Sequence, residues 1–419
     1  MALIETKSNP LLSQIFRRTV IKSYLSIKKI SRLKKSIELE VIDDSLVSNI
    51  IFSLKEKTTE EIPLMKVFNH ISGGKLLVNS PAIYLRQYHQ GTVYPGSDFI
   101  QINNKAVWHK SQYPHFGKLL PLDYHLVRKN ENIINVDKVK KIINVTNGFS
   151  LCGVHANVWS HYLVQYLPKI DCIKKIIEIT GEKLTIIIPP YHDQNIREIL
   201  NALIFDINFI NILELKIDEV AKCEKLYYVE NTSVLSDHAT YLSPTDCVIP
   251  QFVMSYIKNI LLTNKLLFPS FVGQKIPQFR KIYIKRAVSP LSPLSNLRIL
   301  ENAAEIENFF ESEGFEFIAP HEYSLDEKRK LFSEASIIAG SYSSGFMNMI
   351  FCQPDTKFLV FMNYQRIYEL YLAKLSEAFK VNLLAVTGID NQPESIHSSY
   401  TIPLKKVINS YQTLINENA

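Results

Sequence analysis

Between Lys281 and Met362 this chain alternates short apolar runs with longer amphipathic stretches, and that rhythm constrains its fold more than any other feature. Lys281 to Ile284 reads as a strand that ends at a cation, Arg286. Arg298-Ile-Leu-Glu301-Asn302 is predicted to open a helix running to about Glu313, which Gly314 ends. Phe315 to Ile318 is the next predicted strand. Ser324 with Glu327 three residues on has capping-box spacing and predicts a helix to about Glu334. Ser336 to Ala339 and Lys357 to Met362 read as two more strands. Strands alternating with helices predict a parallel, doubly wound α/β sheet. Such sheets bind ligands outside the carboxyl ends of their strands, where Arg286 falls.

The stretch from Gly340 to Asn348 falls at the same edge. It joins a predicted strand to a predicted helix that begins at Phe346. A small-residue turn of this kind brings backbone N–H groups together, and a helix N-terminus adds partial positive charge. Tyr342, Ser343, Ser344, Gly345 and Asn348 are therefore candidates to hold an anion, typically a phosphate. The competing reading is an ordinary small-residue turn, with Asn348 bracing it.

The rest of the chain divides by composition and pattern. Residues 1–45 read as a basic, helical extension. Residues 46–243 mix short strands, at Ala82–Leu85, Phe99–Ile102 and Ala106–Trp108, with a long helical pattern over 153–181 that Pro168 is expected to kink. Leu184–Ile188 and Lys225–Val229 read as strands and Asn195–Phe205 as a helix, so this half is expected to hold a second Rossmann-like unit. Residues 244–278, with Pro244, Pro250, Pro269 and Pro277, read as a linker. Residues 279–400 form the carboxyl-terminal unit, and 401–419 a final helix that packs back.

Composition narrows the function classes. The five cysteines lack Cys-x-x-Cys spacing, which argues against a zinc cluster or a disulfide scaffold. No apolar run approaches membrane-spanning length, and the first residues carry no secretory pattern. A cytoplasmic location is expected. The net charge of +6 is concentrated in the first 40 residues, leaving the remainder neutral. Within residues 14–35, Phe16, Val20, Tyr24 and Ile27 recur at helical spacing among Lys and Arg. Such a helix either lies on an anionic membrane, on the inner face of the cell membrane, or packs on the domain with a solvated basic face. No platform of aromatic and basic residues follows it, so nucleic acid is not expected as a partner.

The carboxyl-terminal motifs carry a resemblance. Strand-Arg286, Arg298-Ile-Leu-Glu301-Asn302, Gly314-Phe-Glu, Ala335-Ser-Ile-Ile, Gly340-x-x-x-Ser344-Gly345-x-x-Asn348 and Phe351-Cys-x-Pro354 together resemble glycosyltransferase family 61. Asn157-Val-Trp-Ser-His161-Tyr-Leu-Val-Gln165-Tyr-Leu-Pro168 resembles the family's His-x-x-x-(Glu/Asp)-x-Leu-Pro segment. Three positions depart from the pattern: Tyr342-Ser343 stands where many members have a histidine, Glu301 and Asn302 are exchanged, and Gln165 replaces a carboxylate.

The resemblance implies two Rossmann-like domains facing a cleft, the GT-B architecture, and an inverting transferase working without a metal or other cofactor. The absence of an Asp-x-Asp loop agrees with that expectation. The implied partners are a nucleotide-sugar donor, held by the carboxyl-terminal domain, and a glycan or lipid-linked glycan acceptor, such as capsule or lipopolysaccharide. Arg286 and Arg298 are the implied cations for the leaving diphosphate, since the guanidinium fork matches phosphate geometry. For either one, a surface salt bridge is the competing reading. Asn157 and Gln165 fall on the acceptor side. An amide is not a base, so His161 is the first candidate for general base, His155 the second and Asp237, beside His238, the third. Two other classes remain open: an inactive glycan- or nucleotide-binding protein of this fold, and a GT-B sugar-nucleotide epimerase.

Overall fold

The computed structural model describes residues 36–108, 126–128, 133–190, 193–204, 207–235, 247–263, 276–286, 298–368, 370–392 and 396–416. Asp237, His238 and the basic 14–35 stretch lie outside the described residues.

The elements of the two parallel arrays are numbered here in chain order. The amino-terminal array contains β1 (Lys141–Ser150), α1 (Asp171–Thr180), β2 (Leu184–Ile188), α2 (Gln194–Ile204), β3 (Ile210–Glu214) and β4 (Glu219–Val229). Its strand order is β3-β2-β1-β4, all parallel. On the far side of β4 the sheet continues with mostly antiparallel pairings, beginning with Ile83–His89 and Gly91–Val93, to reach 12 strands among the described residues. The predicted Rossmann-like unit of this half is therefore one end of a larger mixed sheet.

A helix α3 (Gln251–Thr263) follows, so the predicted linker over 244–278 contains a regular element. The carboxyl-terminal array comprises β5 (Arg280–Ile284), α4 (Ala303–Ser312), β6 (Glu316–Ile318), α5 (Leu325–Ser333), β7 (Ala335–Ser341), β8 (Lys357–Met362), α6 (Tyr371–Phe379), β9 (Asn382–Thr387) and α7 (Leu404–Asn416). The sheet runs β6-β5-β7-β8-β9, parallel throughout. Both of its faces are covered. Tyr283, Ala339, Leu359 and Phe361 pack with Ile306 and Phe310 of α4 and Tyr411 and Leu414 of α7. Ile282, Ile338, Phe358 and Val360 face the opposite way, into a core shared with Phe332 of α5 and Leu372 and Leu375 of α6. Burial on two faces explains the near-continuous apolar runs of these strands.

That second core does not stop at the carboxyl-terminal half. It continues through Phe149, Leu163 and Leu167 to Ile186 and Ile196. The backbone also crosses between the halves. Val67 forms a parallel bridge with Ala385 of β9, where Phe68 N–H donates to Ala385 O at 2.8 Å and Ala385 N–H to Lys66 O at 2.9 Å.

Four local expectations require correction. Ser36–Asp43, read as the end of a helical extension, is a strand paired with Lys105–Trp108 and Ile133–Asp137. Its alternating Ile37, Leu39 and Val41 pack against the small core around Phe99 and Val136, and that burial outweighs helix propensity. The helix predicted from Arg298 begins only at Ala303. Residues 298–301 instead run beside 397–400, with Arg298 N–H donating to His397 O and Tyr400 N–H to Ile299 O. Ser344–Phe351 is a 3₁₀ turn and not an α-helix. The long pattern over 153–181 starts helical geometry at Trp159, becomes π-helical over Tyr162–Tyr166 and 3₁₀ over Leu167–Ile170, then continues as α1. Pro168 thus marks a change of helix type where a simple kink was predicted.

The capping box is present as predicted: Glu327 N–H donates to the Ser324 hydroxyl, and the Glu327 carboxylate accepts from Ser324 N–H. Among the described residues, no helix is long and apolar enough to cross a membrane.

Candidate active site

Two groups of side chains meet where the halves join. The first lies at the carboxyl edge of the five-stranded sheet. Arg286 follows β5 by two residues, Tyr342 follows β7 immediately, and Arg366 lies in the 3₁₀ turn Tyr364–Tyr368 after β8. Arg298 approaches from its connection beside 397–400. It has φ of +60°, an uncommon left-handed conformation for a side chain of this size.

Arg286 is half-buried, and its Nη1 donates to Arg298 O at 2.8 Å. Arg366 is only 2% exposed; its Nε donates to Ile396 O at 2.9 Å, and its guanidinium lies 5.2 Å from the centre of the Tyr342 ring. Tyr342 donates through its hydroxyl to Tyr371, and Tyr400 to Phe361 O. Burial first, and then the positive charges of Arg298 and Arg366, pull the Arg286 guanidinium down to about 10. Burial likewise pushes the Tyr400 hydroxyl up to about 12, although the nearby Arg286 and Arg298 charges oppose that rise. Arg286 makes no ion pair among the described residues. Three guanidinium groups sharing one sheet edge concentrate positive potential, and an anion relieves it.

The glycine loop borders this cluster. Gly340 ends the close approach of β7 to β5: a Cβ there would lie 2.6 Å from Ile284 O, and φ is +150°. Gly345 is also confined, since its Cβ would meet Ile284 Cγ2 at 3.0 Å. Ser343 is extended, and its hydroxyl accepts from Gly345 N–H at 3.3 Å. The Ser343 and Ser344 N–H groups donate to no acceptor among the described residues, and Ser344 is exposed. Asn348 is buried and braces the loop by donating from Nδ2 to Gly345 O at 2.9 Å. With a 3₁₀ turn behind the loop, the helix-dipole contribution is weaker than predicted, because aligned α-helical peptides are its source. The arginines supply most of the positive charge.

The second group lies on the helical segment that begins at Trp159, which packs on the 344–351 turn. His155, in the preceding turn, has φ of +62°. Its ring lies 4.7 Å from that of His161. His161 Nδ1 lies 2.7 Å from Gln165 Oε1, and Gln165 Nε2 donates to Ser233 O at 3.0 Å. Asn157 is half-buried in the same turn and makes no side-chain hydrogen bond among the described residues.

The π-helical geometry here has a local cause. Val164 O accepts from the hydroxyls of both Thr232 and Ser233, at 2.7 and 2.8 Å. The residue four positions on is Pro168, which has no N–H to offer this carbonyl, so the regular helix ladder is interrupted here and the two hydroxyls satisfy the acceptor. Below lies a polar network. Lys169, fully buried, donates to Asn231 Oδ1 at 2.7 Å and sits 4.6 Å from the Tyr166 ring centre. Asp98 accepts from Tyr166 and Asn231. Burial lowers the Lys169 ammonium to about 8 and raises the Asp98 carboxyl, while each charge partly stabilises the other.

The structure thus brings Arg286, Arg298, Tyr342 and the 343–345 loop together on one side, and His155, His161 and Gln165 on the other. Asp237 lies outside the described residues. Sequence reasoning missed Arg366 and Tyr400. Arg366 had a readable signal, being a cation just past a strand end, the same feature that singled out Arg286.

A cationic sheet edge beside a histidine pair suits an anion next to a group that can carry a proton. The family model described as Glycosyltransferase 61 matches residues 159–359. That match begins at Trp159, at the head of the histidine-bearing segment, and ends within β8. The match supports an assignment to glycosyltransferase family 61 and indicates a glycosyltransferase. Among curated proteins, none matches it.

Proposed function

We propose that this enzyme moves a sugar, with inversion and without a metal, from a nucleotide-sugar to a cell-surface glycan such as capsule or lipopolysaccharide. The observation that carries the reading is the arginine cluster: Arg286 lies at the carboxyl edge of a parallel sheet, without an ion pair among the described residues, and is depressed by burial and then by neighbouring cations. That environment suits the diphosphate of a departing nucleotide. In this reading, residues 279–400 bind the donor and 46–243 the acceptor, as in a GT-B enzyme. In the same reading, the basic 14–35 stretch holds the protein at the inner face of the cell membrane.

The chemistry follows from the two groups. His161 takes the proton of the acceptor hydroxyl as its oxygen attacks the anomeric carbon. The bond from that carbon to the diphosphate oxygen breaks, and its electron pair leaves with the nucleotide. Arg286, Arg298 and Arg366, with the Ser343 and Ser344 N–H groups, stabilise the charge that develops there. Asn157 orients the acceptor.

A transfer assay across nucleotide-sugars, run in excess EDTA, tests this reading. Transfer persists in the chelator, and His161→Ala lowers turnover by about 10²–10⁴-fold with donor affinity unchanged. Loss of transfer in EDTA with rescue by Mn²⁺ overturns the metal-free mechanism. Near-wild-type turnover in His161→Ala removes that residue from it.

A further inference from the structure

We infer that Gln165 is a positioning residue that sets the tautomer of His161, and that the Ser233 carbonyl sets Gln165. The inference rests on the reading of His161 as base but makes a separate, structural claim. It begins with a group that has no choice of role. A backbone carbonyl only accepts hydrogen bonds. Ser233 O lies 3.0 Å from one end of the Gln165 amide, so that end is the NH₂. The other end, 2.7 Å from His161 Nδ1, is therefore the amide oxygen. An oxygen acceptor at that distance requires the proton on Nδ1. In the neutral ring, Nε2 is then the nitrogen with the lone pair.

The arrangement resists reversal. Gln165 is 3% exposed and Ser233 1% exposed, so neither has water to substitute for a wrong partner. Flipping the amide would set oxygen against oxygen at Ser233 and require the opposite tautomer at His161. The Ser233 backbone is itself anchored through its hydroxyl to Val164 O, beside the Thr232 hydroxyl. Those two bonds accompany the π-helical turn that places Gln165 four residues after His161 and facing it.

The same geometry suits an amide at this position better than a carboxylate. An ionised glutamate in place of Gln165 would direct an oxygen at Ser233 O and would favour the imidazolium of His161, the form with no lone pair to accept a proton. A protonated glutamate there, with its hydrogen toward Ser233, would reproduce the pattern made by the amide. Restoring the carboxylate is therefore not a simple gain for this chain. His155 is a titratable group beside the His161 ring, tilted against it at 4.7 Å; Tyr162, Tyr166 and Lys169 lie on the same helical segment, and the 344–351 turn packed against it contains none.

The experiment is nitrogen-15 NMR of the histidine rings in the full chain, with His161 assigned by its loss in His161→Gln. In the wild type at alkaline pH, Nδ1 carries the protonated-type signal and Nε2 the unprotonated type. Gln165→Leu returns His161 to a tautomer mixture and lowers kcat by the fraction left in the competent tautomer, about 10-fold, with KM for the donor unchanged. Gln165→Glu, which keeps the side-chain volume if Gln165→Leu fails to fold, moves the acidic limb of the kcat/KM profile upward by a pH unit or more. A proton on Nε2 in the wild type overturns the inference, as does retention of the single Nδ1–H tautomer in Gln165→Leu. If the Nδ1–H signal is present but His161→Ala retains turnover, the clamp stands and the assignment of the base falls.

Discussion

Replacing Arg286 by Met removes a guanidinium while retaining most of its apolar stem, and the two consequences should oppose each other. The site holds this cation at a cost: its fall from 12.5 to about 10 is caused by burial and by the Arg298 and Arg366 charges. At about 1.4 kcal/mol per pH unit that is roughly 3 kcal/mol, and solvent at a half-buried site trims it to about 2 kcal/mol. The variant also loses the 2.8 Å charge-assisted bond to Arg298 O. Such a bond contributes about 1.5 kcal/mol. The ligand-free Arg286→Met protein is thus expected to match the wild type or exceed it by up to about 1 kcal/mol, where a buried strut would lose 1–3 kcal/mol. Its affinity for the cognate nucleoside diphosphate should fall by about 2–3 kcal/mol, or about 30- to 150-fold. Urea denaturation without ligand and calorimetry across nucleoside diphosphates read the two quantities. A variant destabilised by more than about 2 kcal/mol, with diphosphate affinity intact, would refute the argument and make Arg286 a structural residue.

The loop and the buried network permit two further tests. Gly345→Val is a poor probe, because its side chain would press on Ile284 of β5 and mix folding with binding. Ser344→Pro is cleaner: Ser343 before it is already extended, the first position of a helical turn accepts proline, and only an N–H with no acceptor among the described residues is removed. It should keep its thermal midpoint and lose about 1–2 kcal/mol of diphosphate affinity by calorimetry; unchanged affinity would exclude that N–H from the site. For the network, Lys169→Met should destabilise the fold by about 3 kcal/mol in urea, and adding Asp98→Asn should recover most of it. The sign with pH also follows. The folded protein releases the Lys169 proton near 8 and the unfolded chain near 10.5, so the unfolded state binds more protons between those values. Wild-type stability should therefore rise with pH across that window relative to Lys169→Met, and parallel pH curves for the two proteins would show that Lys169 is not so perturbed.

Much of the carboxyl-terminal half was legible because its signals are local. The strand Lys357–Met362 and the Ser324–Glu327 capping box depend on residues within a few positions of one another. Arg286 was legible as a site candidate because it directly follows a strand and needs only the rule about strand ends. The segment around Arg298 was not. Its helical pattern gave way to pairing with residues 397–400, nearly 100 positions away. Ser36–Asp43 was misread for the same reason, since it is a strand only because β-pairing partners far along the chain accept it.

By itself, then, the sequence determined the rhythm of strands and helices, the cation at the end of β5, and the residue types available near His161. Tertiary structure alone decided that Arg366 joins Arg286, that residues 66–68 bridge to β9, and that one core runs through both halves. It also decided what Gln165 does. Read in sequence, Gln165 is a carboxylate lost; against the Ser233 carbonyl it is an oriented amide. The physical reason is common to these cases: propensity and capping act over a turn or two of chain, whereas charge, burial and hydrogen-bond direction depend on neighbours that only folding supplies.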